Sequence, residues 1–341
     1  MNKAVLRGIF VLLALVMTIG VGLWILWRDT EAALSRQLPI KSAEIFELAE
    51  GTPTARVAKA LVERGWLNHA LYLRIELEMN GLGSRLQAGA YEILPGESLR
   101  ELLDKMSKGR VKRYSLTIPE GVTVEALRGI LTQLSGLKIV LADVSTEKLM
   151  LELGLGDGSP EGQFFPSTYF YKHRTTDREL LIRMNRKLRQ VLTEAWANRI
   201  GDLPYTSPEE ALVMASIIER ETAAPAERAQ IAGVFVRRLK QGMKLQTDPT
   251  VIYGMGATFD GNLRRADLER DTPFNTYTRP GLPPTPICLP GKEAILAALA
   301  PAEGRALYFV ARGDGRHVFS DSLTEHNAAV RAFQLGKTPS P

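Results

Sequence analysis

The chain has 341 residues, 45% of them hydrophobic and 24% charged, which is material for two folded domains and too balanced for a disordered chain. A net charge of +5, with no basic tract interleaved with aromatics, argues against nucleic acid as a partner. The single cysteine, Cys288, excludes an internal disulfide. Four scattered histidines and the lack of a glycine-rich phosphate loop give no reason to expect a metal or a cofactor.

Residues 1–7 carry Lys3 and Arg7, and residues 8–28 follow as an apolar run. Gly8 to Trp27 holds no charge and is long enough to cross a bilayer as a helix. The positive residues before it, and Arg28, Asp29 and Glu31 after it, predict a cytoplasmic N-terminus and an extracytoplasmic remainder. A cleaved signal peptide is the alternative, but the apolar core is long and no small-x-small site follows at once. The expectation is therefore a single-pass protein of the inner (plasma) membrane. Residues 29–38 read as a short polar helix or linker.

A pattern then recurs three times: an extended stretch, a glycine turn and an amphipathic helix. The turn glycines are Gly51, Gly96 and Gly121, and each copy ends at a stop glycine, Gly65, Gly109 or Gly136. Six and ten residues after each turn stand Val57 and Leu61, Leu102 and Met106, Leu127 and Leu131, each pair on one helix face. The first two copies resemble a LysM module, a small domain of two strands and two helices that binds glycan. The segment 68–86 between them reads mostly as a further helix. This sets a LysM-like domain at residues 39–113. The basic strip Lys108, Arg110, Lys112 and Arg113 marks the junction, as a solvated linker.

Residues 114–336 form the larger domain, with 337–341 as a tail. Strands and helices are segregated rather than alternating, so the fold class expected is α+β, with a mixed α/β catalytic domain. Ser207, Pro208 and Glu210 start a helix as N-cap, first-turn proline and capping-box acid. Ala211 to Ile218 is apolar on nearly every side, the mark of a buried helix. At about 100° per residue Glu219 falls between Leu212 and Ala215, while Glu221 points oppositely, near Glu210. Glu219 is thus the acid expected to face inward, either as half of an ion pair with Arg237 or Arg238 or as a catalytic group. Glu221 reads as a surface charge.

Pro225 to Lys240 is a second helix with a solvated basic end, Arg237 to Lys244. Gln246, Thr247, Asp248 and Thr250 then crowd into a polar turn, where Asp248 is either an Asp-Pro cap or a support for Glu219. Phe274 to Gly291 is a proline- and glycine-rich wall, ordered but irregular, suited to a hydroxyl-rich ligand. Gln246, Thr247, Asp248, Asn275 and Tyr277 are the candidate substrate contacts. Strands at Leu307–Arg312 and His317–Ser320 form a hairpin, and a helix capped at Ser320 or Ser322 closes the chain, with His326 and Asn327 decorating it.

The stretches ASIIERET, LQTDPTVIYG, NTY followed by GLPPTPI, and EGQFFPSTY at Glu161 to Tyr169 together resemble the endolytic murein transglycosylase (YceG-like) family, from the apolar helix to the last one. The resemblance implies a membrane-bound lyase acting on peptidoglycan glycan strands, with peptidoglycan synthases as possible neighbours. It places the catalytic acid at Glu219. One carboxyl protonates the oxygen between N-acetylmuramic acid and N-acetylglucosamine. It then takes the proton of the muramic C6 hydroxyl, which attacks C1 and leaves a 1,6-anhydro end. An internal nucleophile removes the need for a second carboxylate to activate water. Desolvation by Leu212 and Ala215 is expected to keep the acid protonated. A peptidoglycan-binding scaffold without catalysis is the alternative. A pyridoxal-phosphate lyase would need a Schiff-base lysine and a phosphate cup, and the apolar helix argues against it.

Overall fold

The structure is a computed structural model, and residues 3–81, 83 and 85–335 are described. The expected tail 337–341 lies outside them. The chain divides into two compact units, Met1–Tyr114 and Ser115–Pro341.

The first unit begins with α1 (Lys3–Ser35), one unbroken helix. Leu6–Ser35 is long and apolar enough to cross a membrane, with a mean hydropathy of 2.7, and its apolar window is fully exposed. Of the two readings for residues 29–38, a short polar helix or a linker, the helix holds as far as Ser35. Residues 29–35 continue α1, and Thr30, Leu34 and Leu38, four apart, are buried. Leu34 and Leu38 join the core of this unit, and Glu31 pairs with Arg100 at 2.8 Å. Leu34 on the helix and Leu38 just beyond its end dock this part of the chain onto the core of the unit.

Next come β1 (Glu44–Leu48), α2 (Thr54–Glu63), α3 (Ala70–Met79), β2 (Gly89–Ile93) and α4 (Leu99–Ser107). β1 and β2 pair antiparallel, Glu44 opposite Ile93 and Leu48 opposite Gly89. The three helices cover them with Leu61, Leu73, Leu102 and Met106, all fully buried. The turn glycines Gly51 and Gly96 adopt φ of 72° and 92°, conformations costly for any residue with a Cβ. The basic strip is solvated as expected at Lys108, Arg110 and Arg113, and three of its four members are also ion-paired. Lys108 and Arg110 meet Asp104, and Lys112 meets Glu92 at 2.7 Å.

β3 (Arg113–Thr117) leads into the second unit. There follow α5 (Val124–Thr132), α6 (Leu149–Glu152), β4 (Thr168–Lys172), α7 (Asp177–Ala197), α8 (Pro208–Glu221), α9 (Arg228–Lys240), α10 (Asp248–Met255), α11 (Arg265–Glu269) and α12 (Lys292–Leu299). The hairpin of β5 (Tyr308–Ala311) and β6 (His317–Ser320) and α13 (Leu323–Val330) complete it, with a π-helical turn at Arg331–Leu335. Among the described residues the strands form three separate two-stranded sheets, β1-β2, β3-β4 and β5-β6. Helices therefore build the core, and the class is mixed α and β.

α8 is its centre. Residues 211–218 are all buried, and Leu212, Ala215 and Ile218 pack in one cluster with Leu188, Phe235 and Ile295. The Ser207 hydroxyl accepts the Glu210 N–H at 3.2 Å, as the sequence predicts. The capping box does not close on Ser207, because the Glu210 carboxylate instead accepts the Thr206 N–H and hydroxyl, at 2.5 and 2.9 Å. Ser207→Ala leaves that N–H without its cap. It should lower stability by about 1 kcal/mol, read as a lower unfolding midpoint and faster amide exchange in the first turn of α8. The basic end of α9 is solvated at Lys240 and Lys244, as expected, but not at Arg238. Arg238 is only 8% exposed and donates to the carbonyls of Leu307, Lys244 and Leu245.

Candidate active site

Glu219 and Glu221 stand two residues apart at the end of α8, so their side chains leave on different sides and enter different surroundings. The Glu219 side chain is 7% exposed. Its Oε1 lies 3.3 Å from Arg228 Nη2, at the start of α9, and its Oε2 accepts the Gly291 N–H at 2.9 Å. The cation partner is thus Arg228, whereas Arg237 is spent on the carbonyls of Ala302 and Ala306. The Glu219 carboxyl meets a guanidinium and a backbone amide. The purely apolar setting expected from the helical pattern is not what its oxygens see.

Three segments converge on this carboxyl. The proline-rich wall is pinned to α8, for Ile287 N–H donates to Ser216 Oγ at 3.0 Å and the Cys288 thiol to the Ser216 carbonyl at 3.3 Å. The wall is tied in turn to the loop after β3, through Gly121 N–H to Leu289 O at 2.9 Å and Leu289 N–H to Val122 O at 2.8 Å. That loop carries Glu120, whose Oε2 lies 3.9 Å from the same Arg228 Nη2. Gly121 turns the loop with φ of 77°, close against the Glu219 side chain. Burial first, and then the nearby Glu219, push the Glu120 carboxyl above the usual range, against the pull of Arg228. Arg228 itself is 11% exposed, and its Nε is buried without a protein partner.

Glu221 is not a surface charge. Burial pushes its carboxyl up to about 7, and it accepts a bond from the Thr247 hydroxyl. The helical wheel places it away from the α8 core stripe correctly, but α10 and the hairpin cover that side. Glu221 borders a cavity of about 400 Å³ together with Gln246, Thr247, Asp248, Tyr277 and Arg238. Four of the five candidate substrate contacts therefore gather around Glu221 and not around Glu219. Asp248 is the first residue of α10, and its Oδ1 accepts the Tyr277 hydroxyl at 2.6 Å. Thr247 is 2% exposed. Asn275 is fully buried, and its amide is spent on the loop: Nδ2 donates to Leu268 O and Arg270 O, and Oδ1 accepts Tyr277 N–H. It shapes the wall and has no surface to offer a ligand.

A third acid, Glu161, was visible in the sequence only as part of a loop motif. It is 6% exposed, accepts Val124 N–H at 3.1 Å and Tyr253 OH at 3.1 Å, and burial raises it to about 7 despite those bonds. Glu120 and Arg228 were likewise missed. Each lies in a loop or at a helix start, where no periodicity marks an inward side chain. The glycine after each acid, in Glu120-Gly121 and Glu161-Gly162, is the one signal that could have pointed there.

A model of the YceG-like family matches residues 46–332. A Bacillus subtilis protein named endolytic murein transglycosylase is 30% identical over 314 residues, covering 87% of this chain and 86% of its own length. A Streptococcus pneumoniae protein of the same name is 28% identical over 317 residues, covering 83% of this chain and 57% of its own. A solved structure of a YceG-like protein from Listeria monocytogenes superposes with a TM-score of 0.52 at 29% identity, over 85% of this chain and 99% of that one.

Proposed function

Since the chain belongs to the YceG-like family, we propose that it is a lytic transglycosylase that cuts peptidoglycan glycan strands internally and leaves 1,6-anhydro-muramic ends. The reading rests on one observation above others. In a chain similar over most of its length to enzymes of that name, Glu219 is a nearly buried carboxyl fixed at both oxygens, beside a loop-built wall.

The reaction needs two proton movements. The bridging oxygen must leave protonated, and the muramic C6 hydroxyl must lose its proton as it attacks C1. Glu219 is the group proposed to exchange protons with the substrate. Arg228 and the Gly291 amide hold it in one orientation, and a fixed group makes the intramolecular attack efficient. Since C6 belongs to the sugar being cut, the nucleophile is delivered with the substrate and no bound water has to be activated.

We further propose that α1 anchors the chain in the plasma membrane with its N-terminus in the cytoplasm, so that cleavage falls on nascent strands beside the synthases. The exposed apolar length of α1 supports this. In the first unit, the order β1-α2-α3-β2 supports reading it as a LysM-like module that holds glycan. Digestion of purified glycan strands followed by mass analysis of the ends is the direct test. Anhydro ends at internal cuts are the expected products. Ordinary reducing ends would instead make the protein a hydrolase, and uncut strands would leave only a glycan-binding scaffold.

A further inference from the structure

We infer that Glu120 is a second catalytic carboxyl, which delivers the proton to the leaving oxygen while Glu219 takes the proton from the C6 hydroxyl. The inference rests on the lyase reading above and divides its two proton transfers between two residues.

Both Glu219 oxygens already accept, one from Arg228 and one from the Gly291 N–H, and the side chain is 7% exposed. Such a carboxyl is held from the protein side at both oxygens and has little free surface left for a leaving oxygen. The Glu120 side chain is 46% exposed and lies beside the same guanidinium nitrogen. Arg228 Nη2 is 3.3 Å from Glu219 and 3.9 Å from Glu120, so the two carboxyls flank one nitrogen atom. Glu120 also lies against Gly291, whose Cα leaves the space its carboxyl fills; a methyl group there would overlap it.

Placement suits the chemistry. A 1,6-anhydro bridge closes on the face of the ring from which the leaving oxygen departs. Donor and acceptor must then stand side by side, not on opposite faces as when a water attacks from behind. Two carboxyls on one nitrogen satisfy that demand. Their surroundings also differ in the sense the roles require, since burial and the charge of Glu219 favour the protonated form of Glu120.

The step balances. The C1–O4 bond breaks with its electron pair going to O4, which takes the Glu120 proton. O6 bonds to C1, and its proton passes to Glu219. Return of that proton from Glu219 to Glu120 closes the cycle, and no other reactant is consumed.

The test uses the full-length protein in detergent and two substrates: native strands, and a muramyl glycan bearing a dinitrophenyl leaving group, which departs without a proton. Glu120→Gln should lower kcat on strands by about 100-fold and leave the dinitrophenyl substrate within about threefold of the parent. Gly291→Ala, which displaces the Glu120 carboxyl but keeps the residue, should show the same selectivity. Glu219→Gln should lose both substrates. Loss of both by Glu120→Gln would mean a structural role, and full activity on strands would mean no role; either overturns the inference. Failure of the parent protein to make anhydro ends is a different result and overturns the lyase reading itself.

Discussion

Glu219→Gln is expected to abolish strand cleavage, with kcat down by about 10³-fold or more and the fold intact. Glutamine keeps the length of the side chain and can still accept the Gly291 N–H, so the local structure has no reason to rearrange. It loses the ability to exchange a proton and the charge opposite Arg228. Arg228 keeps Glu120 as a second carboxylate partner, so the structural cost is a small fall in stability, and circular dichroism with a thermal scan separates it from the loss of activity. Glu221→Gln is the informative companion. An inert Glu221→Gln beside an active Glu219→Gln would move the chemistry to the cavity with Asp248 and Tyr277.

The roles of these two acids show what the sequence could and could not reveal. The helical period separated them onto different sides of α8, and that separation is correct. It could not say what covers each side. The wheel knows only its own helix, whereas the oxygens of Glu219 are held by Arg228, nine residues on, and by Gly291, seventy-two residues on. Burial of Glu221 is equally a product of α10 and the C-terminal hairpin. Elements with strong local rules were legible: the glycine-turned repeats, the Ser207 cap, the hairpin at Gly313 to Gly315, and α13 capped by Ser322 with Glu325. The continuation of α1 past the apolar run was legible only as one of two readings, a short polar helix or a linker, because its polar neighbours carry no clear period.

The candidate substrate contacts illustrate the opposite limit. Asn, Thr and Tyr in a proline-rich loop are the right residue types for a sugar site, and they are also what an irregular loop needs to satisfy its own backbone. Asn275 serves the second purpose, with its donors and acceptor all turned inward. Composition cannot distinguish these uses, because the same amide dipoles serve both. Only the direction of each bond does so.

Stability should fall as the pH rises from about 4.5 to 7, the reverse of the usual acid denaturation. Glu161 and Glu221 are each pushed from 4.5 up to about 7, chiefly by burial. In the unfolded chain both ionise near 4.5. Between the two values the folded protein therefore holds protons that the unfolded chain has released, and folding is penalised as pH increases. Stability from these groups is fully present below the unfolded value and is lost as pH climbs through the folded one. At 1.36 kcal/mol per pKa unit, each contributes a fall of roughly 3 kcal/mol. Denaturant titration of the full-length protein in detergent at pH 5 and pH 7.5 measures the difference. Glu221→Gln preserves an acceptor for the Thr247 hydroxyl and has no proton to lose, so it should remove about half of the slope. Glu161→Gln should remove most of the rest. An unchanged slope in both variants would show that neither carboxyl is held protonated by the fold. A slope that vanishes with Glu221→Gln alone would assign the whole effect to the cavity beside Asp248. There the charge of Asp248 adds to burial, whereas Glu161 has two N–H groups and the Tyr253 hydroxyl to stabilise its ionised form.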